Sequence, residues 1–205
     1  MLTAFTASLL LITACELGDK SFFIAAILAM RHSPRLILAG SLAALALMTV
    51  LAAVLGSMLN YFPSNFTRYG AIALLVFFGV NALWQAWQTP PGECGEIEAA
   101  VAEVEKDQSL NSQTKWTPLA IIIKAFTLTF LAEWGDRTQI ATITLAAAHP
   151  PIGVITGAIV GHTASTGIAV IGGRLLADRI SERTMSAIGG ILFLIFAVTT
   201  WLEAN

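Results

Sequence analysis

The sequence predicts an all-α membrane protein of six transmembrane helices, arranged as two inverted three-helix repeats. Three observations predict it. Hydrophobic residues make up 56% of the 205 and charged residues only 12%, where soluble domains carry about 25% charged residues, and the mean hydropathy is +0.76. Six apolar segments can be drawn, each of about the 20 residues or more that cross a bilayer. A shift of 117 residues lays the second half of the chain on the first.

The first segment, 3–30, opens with an apolar run ending at Cys15. No Lys or Arg precedes Lys20, so the basic start of a signal peptide is missing and the run is read as part of a span. RHSPR separates it from the second segment, 36–59, and the third covers 66–88. Residues 89–117 are polar, with Glu93, Glu96, Glu98, Glu103, Glu105 and Asp107 against Lys106 and Lys115. Ile97, Val101 and Val104 recur there at helical spacing, which predicts a short surface helix in an acidic linker. A second reading of the linker is that its acids gather or sense cations. The fourth segment is 118–147, HPP ends it, and 152–175 and 184–203 complete the set. These runs are apolar all round, whereas a helix of a soluble globule keeps a polar face. The chain therefore divides into a repeat at 1–88, a linker at 89–117 and a repeat at 118–205. Trp84, Trp87, Trp116 and Trp201 fall near the expected membrane interfaces.

Loop charges set the orientation. Arg31, Arg35, Lys106, Lys115, Arg174, Arg179 and Arg183 fall on one side, and Arg68 alone on the other. The positive-inside rule makes the first side cytoplasmic, so both termini are expected away from the cytoplasm and the linker within it. The length leaves no room for a separate catalytic or nucleotide-binding domain. A net charge of −2 supplies no basic stripe for nucleic acid. Cys15 and Cys94 form neither a disulfide framework nor a CxxC metal site.

Within the self-match, CELGDKS meets AEWGDRT without a gap: Glu16 on Glu133, Gly18 on Gly135, Asp19 on Asp136, Lys20 on Arg137, Ser21 on Thr138. It runs on through His32 and His149, Pro34 and Pro151, Gly40 and Gly157, and Gly56 and Gly173. Three spans is an odd number, so the second copy would enter from the opposite face, giving the inverted repeats of secondary transporters with a site at the midplane. The recurring glycines, Gly161 and Gly172 included, are read as close-packing positions.

Each motif places charges near the middle of an apolar segment, where one buried charge costs at least about 2.5–3.5 kcal/mol. Spacing i, i+3, i+4 puts each acidic pair and its base on one helix face, so the two faces can meet across the bundle. Four carboxylates and two bases leave two net negative charges, which a divalent cation neutralises. Like charges crowded away from water take up protons when no metal is present, so metal and protons compete for the same oxygens. Carboxylates, with the hydroxyls of Ser21 and Thr138 and the amide of Gln139, are hard ligands suited to Ca²⁺, Mn²⁺ or Mg²⁺. Gly18 and Gly135 allow local unwinding. Lys20 and Arg137 would hold the empty carboxylates apart. His162, whose counterpart is Leu45, is either a ligand or relay or an interhelical hydrogen-bonding group; Asn81 and Gln85 are read as packing polar groups, and His32 and His149 as loop residues.

Other readings are a salt-bridged seam between helices, a passive divalent-cation channel, or an intramembrane aspartyl protease using the two GD aspartates. Doubling of the motif weighs against the first. A Glu and a base beside each Asp weigh against the last.

ELGDKS and EWGDRT match the doubled E-x-G-D-[KR]-[ST] signature, and the whole chain resembles the Golgi, chloroplast and bacterial manganese and calcium transporters grouped as cation/proton antiporters. The resemblance implies export of Mn²⁺, and of Ca²⁺ as the alternative, from the cytoplasm in exchange for H⁺, with no cofactor and no enzyme activity. It also implies a metal site of Glu16, Asp19, Glu133 and Asp136 supported by Ser21 and Thr138, in a thylakoid or plasma membrane.

Overall fold

In the computed structural model, which describes residues 1–61, 63–90, 95–110, 117–177 and 181–202, every regular element is helical. The helices are α1 Leu2–Glu16, α2 Lys20–Arg31, α3 Pro34–Met58, α4 Ser64–Gln88, α5 Gly95–Leu110, α6 Pro118–Ala132, α7 Arg137–Ala148, α8 Pro151–Ala177 and α9 Glu182–Leu202, with a 3₁₀ turn at Leu59–Tyr61. Expectations placed on Glu93, Cys94, Lys115, Trp116 and Arg179 lie outside the described residues, as do those on the side-chain surroundings of Gly173 and Arg174.

Prolines start three of these helices, Pro34, Pro118 and Pro151, where the missing N–H is no loss and the fixed φ suits the first turn. The Thr117 hydroxyl accepts from the Ala120 N–H at 3.2 Å and caps α6. His32 and His149 occupy matching positions, as the residues that end α2 and α7.

The expected spans 36–59, 66–88, 152–175 and 184–203 correspond to α3, α4, α8 and α9, which are long and apolar enough to cross a membrane. The first and fourth differ. Each is two helices, α1 with α2 and α6 with α7, and the latter pair bends by 74° at its break. Among the described residues there are thus four such spans, or five if the bent pair counts as one, while α1 is a shorter apolar helix. The cause is local. Gly18 and Gly135 both have φ of +82°, a left-handed conformation that side-chain-bearing residues avoid, and the aspartate after each is the N-cap of the next helix. Glu16 and Asp19 therefore do not share one continuous helix face, and neither do Glu133 and Asp136.

The two halves exchange contacts. Helix α1 packs on α8, and its counterpart α6 packs on α3. A methyl group at Gly40 would strike the carbonyl oxygen of Ile122, and one at Gly157 that of Phe5. The shift that carries residue 40 to 157 also carries 5 to 122, so each contact is the image of the other. Helices α4 and α9 pack on one another, with Phe78 and Phe193 ring centroids 6.1 Å apart. The large apolar side chains that remain exposed, among them Phe66, Phe77, Trp84, Trp87 and Trp201, lie on the outside, where a lipid phase would take them.

The linker helix is docked. Ala100 and Val104 of α5 are fully buried among Phe22, Phe23, Ala125 and Leu128. Three polar ties hold it: Lys20 Nζ to Glu103 Oε2 at 3.2 Å, Lys124 Nζ to Asp107 Oδ2 at 2.6 Å, and the Gly95 N–H to Glu182 Oε2 at 2.9 Å. Lys124 is a buried cation inside α6 that the sequence reading passed over; a lone lysine in IIIKAFTL was itself the signal. Lys124→Met breaks this ion pair, buried on the lysine side, and should cost on the order of 1.5–3 kcal/mol of α5 docking, below the ~3–5 kcal/mol of a pair buried on both sides. The check is amide exchange in detergent: residues 95–107 should exchange on the order of tenfold faster or more, with α8 unchanged as the reference.

Candidate cation site

The same few residues end one helix, cross through a left-handed glycine and start the next, and this brings both motifs to one place. Arg137 Nη2 donates to Asp19 Oδ1 at 2.9 Å, joining the start of α7 to the start of α2. Asp136 Oδ2 accepts from the Thr138 N–H at 3.4 Å, as an N-cap does. The Gln139 side-chain oxygen accepts from the Gly135 N–H at 2.8 Å, so the amide expected as a cation ligand is first of all a brace for the break.

The two glutamates are held alike. Ser21 Oγ donates to Glu16 Oε2 at 3.3 Å, and Thr138 Oγ1 donates to Glu133 Oε2 at 3.0 Å. Glu16 and Glu133 are 2% and 3% exposed, and in each the other oxygen, Oε1, is buried with no hydrogen-bond partner. A buried unpaired carboxylate oxygen is costly, and a cation is one group that would satisfy it. The two acidic pairs also interact with one another across the breaks.

Two cavities are walled by motif residues, and the larger of them touches the Arg137–Asp19 bridge. A small one of about 10 Å³ is walled by Glu133, Thr138, Gln139 and His162 with Thr49 of α3, and a space of that size holds about one water-sized particle. A larger one of about 270 Å³ is lined by Asp19, Asp136, Arg137, Glu96, Asn81 and Gln85. Asn81 and Gln85, expected to glue helices together, instead face this chamber. Glu96 of α5 joins the wall as an acid that sequence reasoning left among the linker charges; burial, reinforced by the Glu182 carboxylate, pushes its carboxyl above the ordinary value.

Lys20 departs from expectation. Its ammonium turns to Glu103 on α5 rather than to the motif carboxylates, because a long flexible side chain at the first turn of α2 can reach a partly exposed partner instead of staying buried. Only Arg137, of the two bases, bridges the motifs. His162 is buried, with Nδ1 3.4 Å from Glu16 Oε1. Among the described residues no three His, Cys, Asp or Glu side chains stand close enough together to hold a metal ion.

Comparison with known proteins gives this arrangement its family. The family model described as "Divalent cation/proton antiporter GDT1" matches residues 4–90 and 121–205. A GDT1-like protein of Synechocystis sp. is 48% identical over 205 residues, covering 98% of each chain. The GDT1-like protein 2, chloroplastic, of Oryza sativa and the protein PAM71-homolog, chloroplastic, of Arabidopsis thaliana are each 43% identical over 97% of this chain. The chain spans 61% and 59% of the length of those two plant proteins. No solved structure matches it. With both halves matched and the linker between them passed over, the chain belongs to the GDT1 family of divalent cation/proton antiporters.

Proposed function

We propose that this protein is a carrier, not an enzyme, that exports a divalent cation from the cytoplasm in exchange for protons, with Mn²⁺ as the first substrate and Ca²⁺ as the alternative. Glu16, Asp19, Glu133 and Asp136 supply the oxygen ligands, helped by the hydroxyls of Ser21 and Thr138. The observation that carries this reading is the matched pair of buried glutamates, each with one oxygen held by a motif hydroxyl and the other without a hydrogen-bond partner. Two such oxygens beside an aspartate pair form a site whose surplus negative charge, with Arg137 as its one motif base, a doubly positive ion offsets in large part, and protons replace it when the ion leaves.

The two halves are read as inverted repeats about an axis in the membrane plane, and the exchanged Gly40 and Gly157 contacts support this. Breaks at the midplane of paired helices are where such carriers bind their ions. The basic loops put α5 on the cytoplasmic side and both termini on the other, and relatives named chloroplastic favour a thylakoid or plasma membrane of a photosynthetic cell. The 270 Å³ chamber touching Glu96 would then be the cytoplasmic approach.

The test is reconstitution. Vesicles with an acid interior should accumulate Mn²⁺ above its outside concentration and lose it when the pH gradient is collapsed. Uptake that stops at equal concentrations would make the protein a channel, and cleavage of helical peptides without metal movement would make it a protease.

A further inference from the structure

We propose that His162 supplies a nitrogen ligand to the transported ion and biases the site toward Mn²⁺ over Ca²⁺ and Mg²⁺; this rests on the cation site proposed above and adds to it the residue that sets selectivity. His162 comes from α8, outside both motifs, and is 5% exposed. Its Nδ1 stands 3.4 Å from Glu16 Oε1, and neither atom has a hydrogen-bond partner. A buried nitrogen and a buried carboxylate oxygen thus face one another, neither satisfied by a hydrogen bond among the described residues. Adjacent ligands of an octahedral ion with bonds of about 2.1–2.4 Å stand about 3.0–3.4 Å apart, so the pair is already spaced as two neighbouring corners of one coordination shell.

His162 also reaches the other motif. It shares the wall of the 10 Å³ cavity with Glu133 and Thr138, so one imidazole borders the glutamates of both halves. Leu45, its counterpart under the 117-residue shift, lines the same cavity. Related positions meeting at one small space lie near the axis between the halves, where a single side chain can serve an ion bound between them. On one side of that space the chain has placed an apolar group, and on the other a donor.

The chemistry gives the donor its consequence. Ca²⁺ and Mg²⁺ take oxygen ligands and gain little from imidazole. Mn²⁺ accepts the same carboxylates but, as a first-row transition ion, gains more from nitrogen than they do. An all-oxygen site would rank the three ions by size and dehydration alone. One imidazole tilts that ranking toward Mn²⁺.

Two measurements decide it. In reconstituted vesicles, His162→Leu, which copies Leu45, should lower by about tenfold or more the Ca²⁺ concentration that halves pH-driven Mn²⁺ uptake, the scale of losing one partner of a bound metal. Purified wild-type protein loaded with Mn²⁺ should show nitrogen hyperfine coupling in pulsed electron paramagnetic resonance, and His162→Gln should lose it. Unchanged competition by Ca²⁺, or no nitrogen coupling in the wild type, overturns the proposal, and the second result needs no variant to fold. Wild-type protein with the coupling but without pH-driven uptake keeps His162 as a ligand and removes the exchange reading instead.

Discussion

Glu133→Gln should cut pH-driven Mn²⁺ uptake by about a hundredfold while leaving the protein folded and at normal abundance. The amide keeps the shape of the side chain, and its carbonyl oxygen can still accept from Thr138 Oγ1, now 3.0 Å away. What it removes is the charge and one anionic ligand at a position 3% exposed. Since protons take the place of the ion in the empty protein, the uncharged amide there copies a side chain that is already neutral, and Oε1 has no hydrogen-bond partner to lose. Thermal stability in detergent should therefore hold or rise as transport disappears. Asp19→Asn should also abolish uptake but behave differently in stability, because Arg137 would lose its 2.9 Å partner at a cost of about 1–3 kcal/mol. Near-normal uptake by Glu133→Gln would remove the carboxylate site, and equal destabilisation by both variants would mean that the glutamate is structural.

Gly157→Ala should melt far below the parent, losing about 3 kcal/mol or more. The added methyl would press on the carbonyl oxygen of Phe5 and on the Leu9 backbone nitrogen, so helix must move against helix with no flexible side chain to yield. Gly40→Ala should do the same against Ile122. Two controls separate crowding from conformation. Gly167→Ala meets nothing within 4 Å and should melt no lower than the parent, since alanine favours helix. Gly135→Ala also meets nothing within 4 Å but has φ of +82°, so it should cost only the left-handed strain, about 1–2 kcal/mol. Melting of the four variants in one detergent tests the order; Gly157→Ala no less stable than Gly135→Ala would contradict the close approach of α1 and α8.

Much of this molecule is readable from its residues. Composition requires a bilayer, and the apolar runs place α3, α4, α8 and α9 to within a few residues. The doubled motif marks the candidate site, because its six ionisable residues in two apolar segments have no cheap structural use. Apolar periodicity does not register a single left-handed residue, so 3–30 and 118–147 read as unbroken helices. The signal was present in the motif itself: a glycine able to end one helix, followed by an aspartate able to cap the next. The docking of α5 stayed hidden because its inward stripe is thin, chiefly Ala100 and Val104, beneath a surplus of acids. The approach of His162 to Glu16 joins residues from opposite halves of the chain, and no local pattern reports such a meeting.

The traded neighbours of α1 and α6 have a consequence for autonomy. Because α1 lies against α8 and α6 against α3, much of what each half needs for its interior is provided by the other. The halves are interlocked in the way of a swapped dimer whose subunits have been joined end to end. Either half produced alone would therefore lack the surface against which its first helix is seated.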